Sequence, residues 1–220
     1  MLRLLCIVFS FALSGAALAD ADGDGVSSIP LAKLFEGYDK YLEKSAKEEL
    51  ALMPVYTLSS KLVEPSEIEL SFHYQDQDYT FTPETDGRLR FRPTADMLEA
   101  NPVVFSNQPK DSLALTLSID VAIVSRTKYK IDDLHDRVHQ AWGEAKSFRG
   151  VLSVFAPNHS RLKIAFPESC TDRQWSVLKG SKVMVSGENE AAFVLDFGDK
   201  KIRKADHVML SCRPYRFSLN

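Results

Sequence analysis

The chain has 220 residues, of which 45% are hydrophobic and 26% are charged, with a formal net charge of −3 at pH 7. These values are those of an ordinary globular protein, with no low-complexity tract. A nucleic-acid-binding protein usually carries a strong basic excess, so the composition argues against a nucleic-acid partner.

The first 19 residues predict export. Arg3 precedes an apolar run from Leu4 to Leu13, and small residues follow it up to Ala19. This is the layout of a secretory signal peptide that is cleaved after an A-x-A sequence. The run is shorter than the roughly 20 residues that cross a bilayer. We therefore expect a mature protein that begins at Asp20, has no transmembrane segment, and is periplasmic or secreted.

Residues 20–29 are small and acidic, and they predict a flexible leader. Asp20, Asp22, Asp24 and Gly25 match the first half of a calcium-binding loop, D-x-D-x-D-G. The twelfth position should be a glutamate but is Leu31. We therefore expect a solvated leader and no cofactor.

Two further segments follow, residues 30–125 and 126–220, each with the order helix, then β-strands. In the first, helical spacing of apolar residues begins near Pro30 and ends before Pro54, and the period then changes to two, as in Ile68, Leu70 and Phe72. In the second, a helix from Ile131 to about residue 146 precedes further alternating segments.

The two segments align weakly with each other. Residues 65–72 lie against 159–166, and residues 100–109 lie against 205–214, with 11 more residues between these anchors in the second copy. Much of that insertion falls in residues 167–181. The predicted fold is α+β, with two related units produced by internal duplication. Each unit has an N-terminal helix packed on a small antiparallel β-sheet or sandwich, and the second carries an inserted loop and a disulfide.

The stretch from Asn101-Pro102 to Asn107-Gln108-Pro109 follows the first helix and its strands. In this arrangement, residues 30–120 resemble uncharacterised secreted proteins of Gram-negative bacteria. The resemblance implies a location in the cell envelope, and it implies no activity or catalytic residue.

Two cysteines remain after signal cleavage, Cys170 and Cys212. In an oxidising compartment such a pair forms one disulfide. Closing a loop of about 43 residues is worth roughly 4 kcal/mol by chain entropy. The sequence therefore predicts a structural cross-link in the second unit.

The best constellation for chemistry is on the second helix. His135 and His139 are four residues apart and project from one face, with Asp136 beside them. Such a face could hold zinc and support a metal-dependent hydrolase. The glutamate of the zinc-protease signature is missing, and solvated histidines with local ion pairs are the simpler interpretation.

Trp175 is the aromatic residue of greatest interest, with Arg173 and Lys179 near it in the sequence. An exposed tryptophan stacks on a sugar ring or anchors a protein partner. The alternative is a side chain that folds back over a small core.

Charge is divided unevenly. Residues 20–125 contain 9 basic and 19 acidic residues, and residues 126–220 contain 17 and 11. Either the halves dock on each other, or the basic half faces an acidic partner. With no serine-nucleophile or phosphate-loop pattern, the sequence favours an exported, soluble binding or interaction protein of the bacterial cell envelope over an enzyme. An envelope protein or a glycan is the expected partner, and the oligomeric state stays open.

Overall fold

The structure, a computed structural model, describes residues 25–147 and 160–220. The first half contains β1 (Val26–Pro30), α1 (Leu31–Leu34), α2 (Tyr38–Ser45), β2 (Leu52–Ser60), β3 (Leu70–Tyr74), β4 (Gln77–Phe81), α3 (Ala95–Ala100), β5 (Val103–Pro109) and β6 (Leu113–Val121). The second half contains β7 (Lys128–Lys130), α4 (Ile131–Ser147), β8 (Arg161–Ala165), β9 (Gln174–Lys179), β10 (Lys182–Glu188), β11 (Ala192–Asp196), α5 (Lys200–Arg203), β12 (His207–Leu210) and β13 (Arg216–Leu219). The predicted α+β class is confirmed.

The strands form three antiparallel sheets. The first sheet has the order β1-β5-β3-β4, and the second has the order β7-β12-β9-β10. The third sheet, β11-β8-β13-β6-β2, takes strands from both halves of the chain. Among the described residues, no helix is long and apolar enough to cross a membrane.

The first and second sheets share their topology. In the first sheet, β1 precedes α1 and α2 and pairs with β5, which follows α3. In the second sheet, β7 precedes α4 and pairs with β12, which follows α5. The far edge of each sheet is formed by a hairpin with a two-residue turn. The β3–β4 hairpin closes between Tyr74 and Gln77, and the β9–β10 hairpin closes between Lys179 and Lys182. By position in the sheet, β9 is therefore the counterpart of β3.

The hydrogen bonds at the helix starts also correspond. Leu31 N–H donates to the Pro102 carbonyl (2.9 Å), and Ile131 N–H donates to the Asp206 carbonyl (3.0 Å). Both apolar side chains are buried. Helix α1 therefore begins at the same position relative to β5 as α4 does relative to β12.

The sequence alignment is wrong for its first pair of anchors. Residues 70–72 lie in β3 of the first sheet, whereas residues 161–166 include β8 of the third sheet. Alternating apolar residues occur in any half-buried strand, so this pattern could not tell which strands correspond. The second pair of anchors falls on β5 and β12, which occupy the same place in their sheets.

Two local predictions are also corrected. Residues 26–30 form β1, paired with β5, and are not part of a flexible leader, because Ile29 packs on the core beside its partner Val104. The first helix is not continuous: it breaks at Gly37, whose positive φ of 81° ends one helical segment before Tyr38 begins the next.

The arrangement of two units, each on a sheet of its own, is not confirmed. The third sheet joins the halves through β6 and β13, and one hydrophobic core extends through both. Helix α4 adds a second connection, because the Glu144 carboxylate accepts hydrogen bonds from Ala51 N–H (2.8 Å) and Leu52 N–H (3.0 Å) at the start of β2.

An ion pair lies at the contact between β6 and β13. Arg216 Nε donates to both carboxylate oxygens of Asp120, at 2.8 and 3.0 Å, and Arg216 also donates to Ser118 Oγ (3.0 Å). Burial raises the pKa of Asp120, and the Arg216 charge opposes that shift. The acidic and basic halves therefore meet in a specific, buried contact.

Candidate functional site

A cavity of about 650 Å³ lies at one end of the second sheet. Three neighbouring strands, β9, β10 and β12, supply its walls. Its lining residues are Gln174, Trp175, Ser176, Ser186, Gly187, Glu188, Met209, Leu210 and Ser211. We call this cavity the β9–β12 groove.

The disulfide holds one end of the groove. Cys170 and Cys212 are bonded, as predicted, and their Cα atoms are 6.2 Å apart. Beside the bond, Ser211 N–H donates to the Gln174 carbonyl and Gln174 N–H donates to Ser211 Oγ, both at 2.9 Å. The cross-link and this reciprocal pair fix the backbone at this end of the groove.

Trp175 forms part of the wall and is half-buried. Its ring stacks on Phe193 with 4.3 Å between centroids and an interplanar angle of 6°. The indole Nε1–H donates to a Glu190 carboxylate oxygen at 3.3 Å. One ring face therefore packs on the core, and the side chain lies on the face of β9 opposite to that of Ser176.

The cross-strand partner of Trp175 is Gly187. A Cβ atom at position 187 would lie 2.6 Å from Trp175 Nε1 and 2.7 Å from Cε2. Only a glycine lets the indole lie flat across β10. Sequence analysis missed Gly187, although an isolated glycine within a strand pattern indicates a close approach of another group.

Trp175 lies in a strand and not in an inserted loop. Residues 174–179 alternate between the two faces of the second sheet, with Val177 fully buried. The period-two pattern from Gln174 to Leu178 was the signal for β9. The predicted insertion at residues 167–181 is therefore wrong.

The structure does not bring the three predicted partner-binding residues together. Arg173 Nε donates to the Cys170 carbonyl at 2.9 Å, at the disulfide end of β9. Lys179 ends β9, six residues away, which is about 20 Å at ~3.3 Å per residue. Arg173 stabilises the turn that precedes Trp175, and Lys179 belongs to a different surface.

The groove combines apolar and hydrogen-bonding groups. Ser176 lies directly opposite both Met209 on one side and Ser186 on the other. The Met209 side chain is 45% exposed, and Glu188 pairs with Gln174 at the rim. A ligand here would meet hydroxyl, amide and carboxylate groups around a small apolar surface.

His135 and His139 lie on one face of α4, as their spacing predicts. Their ring centroids are 6.4 Å apart, His135 packs edge-on against Phe197 at 5.2 Å, and its Nδ1 lies 3.9 Å from Asp136. Within residues 25–147 and 160–220, no three His, Cys, Asp or Glu side chains are grouped so as to hold a metal ion. Zinc at this face would depend on ligands beyond these two rings and Asp136.

A second cavity, of about 550 Å³, lies between α1–α2 and α3. Its floor includes Phe35 and Leu98, and Asp39, Glu43 and Glu99 stand at its rim. Sequence analysis missed it because the two walls are about 60 residues apart in the chain. The predicted signal peptide and the acidic residues 20–24 lie outside the described residues.

Comparison of the chain with protein-family models, with curated proteins and with solved structures found no match.

Proposed function

We propose that this chain is an exported binding or interaction protein of the bacterial cell envelope, and that the β9–β12 groove is its ligand surface. The observation that carries the proposal is the open groove itself, where Ser176, Ser186 and the exposed Met209 lie side by side on one sheet face. A groove whose backbone is already fixed by a disulfide loses little conformational entropy on binding.

The chemistry of the groove favours a glycan as the ligand. Sugars present apolar ring faces that pack on an exposed apolar side chain such as that of Met209, and hydroxyls that pair with serine, amide and carboxylate groups. Gln174, Ser176 and Ser186 supply such groups on the same sheet face as Met209. An envelope protein with exposed Ser, Thr or Asn side chains is the other partner class.

The disulfide supports export. Disulfides persist in oxidising compartments such as the periplasm and are rare in the cytosol. The Cys170–Cys212 bond closes a 43-residue loop beside the groove. We infer a periplasmic or secreted location, with residues 1–19 removed as a signal peptide.

We also infer an internal duplication, with the second copy carrying the groove. It is supported by the common strand order of the first and second sheets, by the equal hairpin lengths, and by the matching bonds from Leu31 to Pro102 and from Ile131 to Asp206. An experimental structure in which residues 26–109 do not superpose on residues 128–210 would refute it.

Binding to purified envelope glycans tests the proposed ligand surface. The variant Gln174→Ala/Ser176→Ala/Ser186→Ala removes three polar groups of the groove and leaves the Trp175 wall in place. The matched control, Glu69→Ala/Ser71→Ala/Thr80→Ala, alters Ser71 and Thr80 of the first sheet and Glu69, which directly precedes β3. We expect at least a tenfold loss of binding to purified envelope glycans for the groove variant alone, with both proteins folded by circular dichroism.

The competing function is a metal-dependent hydrolase that uses His135, His139 and Asp136. Its support is the common helix face and the 6.4 Å separation of the rings. Stoichiometric zinc in protein purified without a histidine tag, lost in His139→Ala, would favour this function. Zinc-free protein whose stability does not change when zinc is added would exclude it.

A further inference from the structure

The end of the second sheet opposite the disulfide carries a concentration of positive charge. Lys179 and Lys182 are direct cross-strand neighbours that close the β9–β10 hairpin, and both are exposed. Like charges placed directly opposite each other destabilise a sheet. The two facing lysines therefore lower the stability of the hairpin, and folding does not explain their presence.

Helix α5 and Lys204, which directly follows it, add four more cations beside this hairpin. Only Ile202 of this segment is buried, so it anchors the helix while its neighbours face solvent. We define the basic surface by six exposed side chains: Lys179, Lys182, Lys200, Lys201, Arg203 and Lys204.

The basic surface is held together by Asp206. Its carboxylate accepts a hydrogen bond from Gly180 N–H in the hairpin turn (2.6 Å), and its own N–H donates to the Leu178 carbonyl (2.7 Å). Asp199, at the other end of α5, accepts from Lys201 N–H at 2.7 Å. These two carboxylates bond to backbone groups, and the surface retains a net positive charge of four.

The exposed aliphatic side chain of Val183 adjoins the cations. Val183 follows Lys182, is 52% exposed, and pairs across the hairpin with Leu178. Lys128 and Lys130 of β7 lie across β12 on the same sheet, with Lys130 opposite His207. Cations around a small apolar area are the combination that binds at the interface of an anionic bilayer.

The first half of the chain provides an internal comparison. Tyr74 and Gln77 occupy the hairpin positions that correspond to the two lysines. Counting back from Pro102 and Asp206, Asp96 and Glu99 of α3 correspond to Lys200 and Arg203 of α5. The same frame therefore forms with neutral and acidic residues at these positions, and the cations are not needed to build it.

We propose that the basic surface docks the protein on the anionic phospholipid headgroups of a membrane surface. Six cations and the adjoining Val183 would lie against the headgroups, with no segment inserted across the bilayer. The proposal goes beyond ligand binding in the β9–β12 groove and does not depend on it.

Vesicle co-sedimentation tests the proposal with two variants of equal charge. Lys179→Gln/Lys182→Gln/Lys200→Gln/Lys204→Gln removes four cations of the basic surface. The control, Lys33→Gln/Lys47→Gln/Lys61→Gln/Lys110→Gln, removes four exposed lysines of the first half. Vesicles of phosphatidylglycerol and phosphatidylcholine in equal parts are compared with pure phosphatidylcholine, and thermal unfolding verifies that each variant is folded.

We expect the unaltered protein to bind anionic vesicles only, and binding to weaken as salt rises toward about 0.15 M, where the screening length is ~8 Å. The basic-surface variant should lose at least about 30-fold in affinity, since each lysine near an anionic surface contributes several-fold. The control should retain its affinity within about threefold. Equal losses in both variants, binding to neutral vesicles, or binding of dextran sulfate without binding of vesicles would each overturn the proposal.

Discussion

Arg216 Nε lies 2.8 and 3.0 Å from the two carboxylate oxygens of Asp120, and the pair joins β13 of the basic half to β6 of the acidic half. Asp120 is 5% exposed, and Arg216 makes the largest contribution to compensating its charge, with a smaller one from Arg88. The opposite net charges of the two halves therefore meet in one buried contact that also sets the pairing of their strands.

Arg216→Ala should lower the free energy of unfolding by about 3 kcal/mol at pH 7, because it leaves a buried carboxylate unpaired. Without the arginine, the pKa of Asp120 rises further above its value of about 3.9 in the unfolded chain. The folded variant then takes up a proton that the unfolded chain does not, so the penalty should shrink between pH 7 and pH 5. Urea unfolding at both pH values measures it.

The control for this prediction is Arg161→Ala, which breaks an exposed pair with Asp196. A hydrogen bond from Gly198 N–H, together with Arg161, lowers the pKa of Asp196. Exposed pairs contribute less than about 1 kcal/mol, and this loss should not recover on acidification. A penalty for Arg216→Ala that is the same at pH 7 and pH 5 would contradict the prediction.

Reduction of the Cys170–Cys212 bond should lower the free energy of unfolding by about 4 kcal/mol, because the 43-residue loop gains entropy in the unfolded chain. Urea unfolding with and without reductant gives the value. The double variant Cys170→Ala/Cys212→Ala should be insensitive to reductant. An equal shift in that variant would show that the effect does not come from the disulfide.

Gly187→Ala should displace the Trp175 ring, since the new Cβ would lie 2.6 Å from Nε1. Overpacking of this kind costs about 1–3 kcal/mol. Trp175 emission, measured with Trp142 replaced by Phe, should move toward the value of a solvent-exposed indole.

Gly143→Ala is the matched control for Gly187→Ala. Nothing lies within 4 Å of a Cβ at position 143, and the residue is in the interior of α4. Alanine there should raise stability by about 0.5–1 kcal/mol. If Gly187→Ala were neutral and left the emission unchanged, the stacked position of Trp175 would be refuted.

Tyr56→Phe should cost about 1 kcal/mol, the value of a single buried hydrogen bond. The hydroxyl donates to the Glu36 carbonyl at 2.9 Å, and burial raises the pKa of Tyr56 well above 10. Phenylalanine keeps the edge-on contact with Phe35. Tyr79→Phe, which removes an exposed bond to Gln77, should change stability by less than about 0.5 kcal/mol. Thermal unfolding of the two variants compares them.

Local patterns predicted much of this structure. The spacing of Leu31, Leu34 and Tyr38 indicated a buried helix face, and the two mature cysteines indicated the disulfide. The pairing of β6 with β13 was not predictable, because strands about 100 residues apart carry no local signal of their partner. The same reason hid the correspondence of β3 with β9.

The candidate site was predicted only in part. Trp175 stood out as a large aromatic residue near a cysteine, but its partners Gly187 and Phe193 come from two other strands. Arg173 and Lys179 are near Trp175 in sequence and point to separate surfaces because a strand extends its residues over a long distance. Sequence proximity could not give the shape of the groove.

If the two halves arose by the proposed duplication, the pairing of β6 with β13 has a consequence for the ancestral protein. In a single ancestral unit, β6 would be an unpaired edge, and antiparallel pairing with the same strand of a second copy would cover it. Such a homodimer dissociates on dilution, whereas two copies in one polypeptide stay paired at any concentration. Under the proposed duplication, fusion would also allow each copy to change its own surface. Asp96 and Glu99 in one half, with Lys200 and Arg203 at the matching positions of the other, fit that expectation.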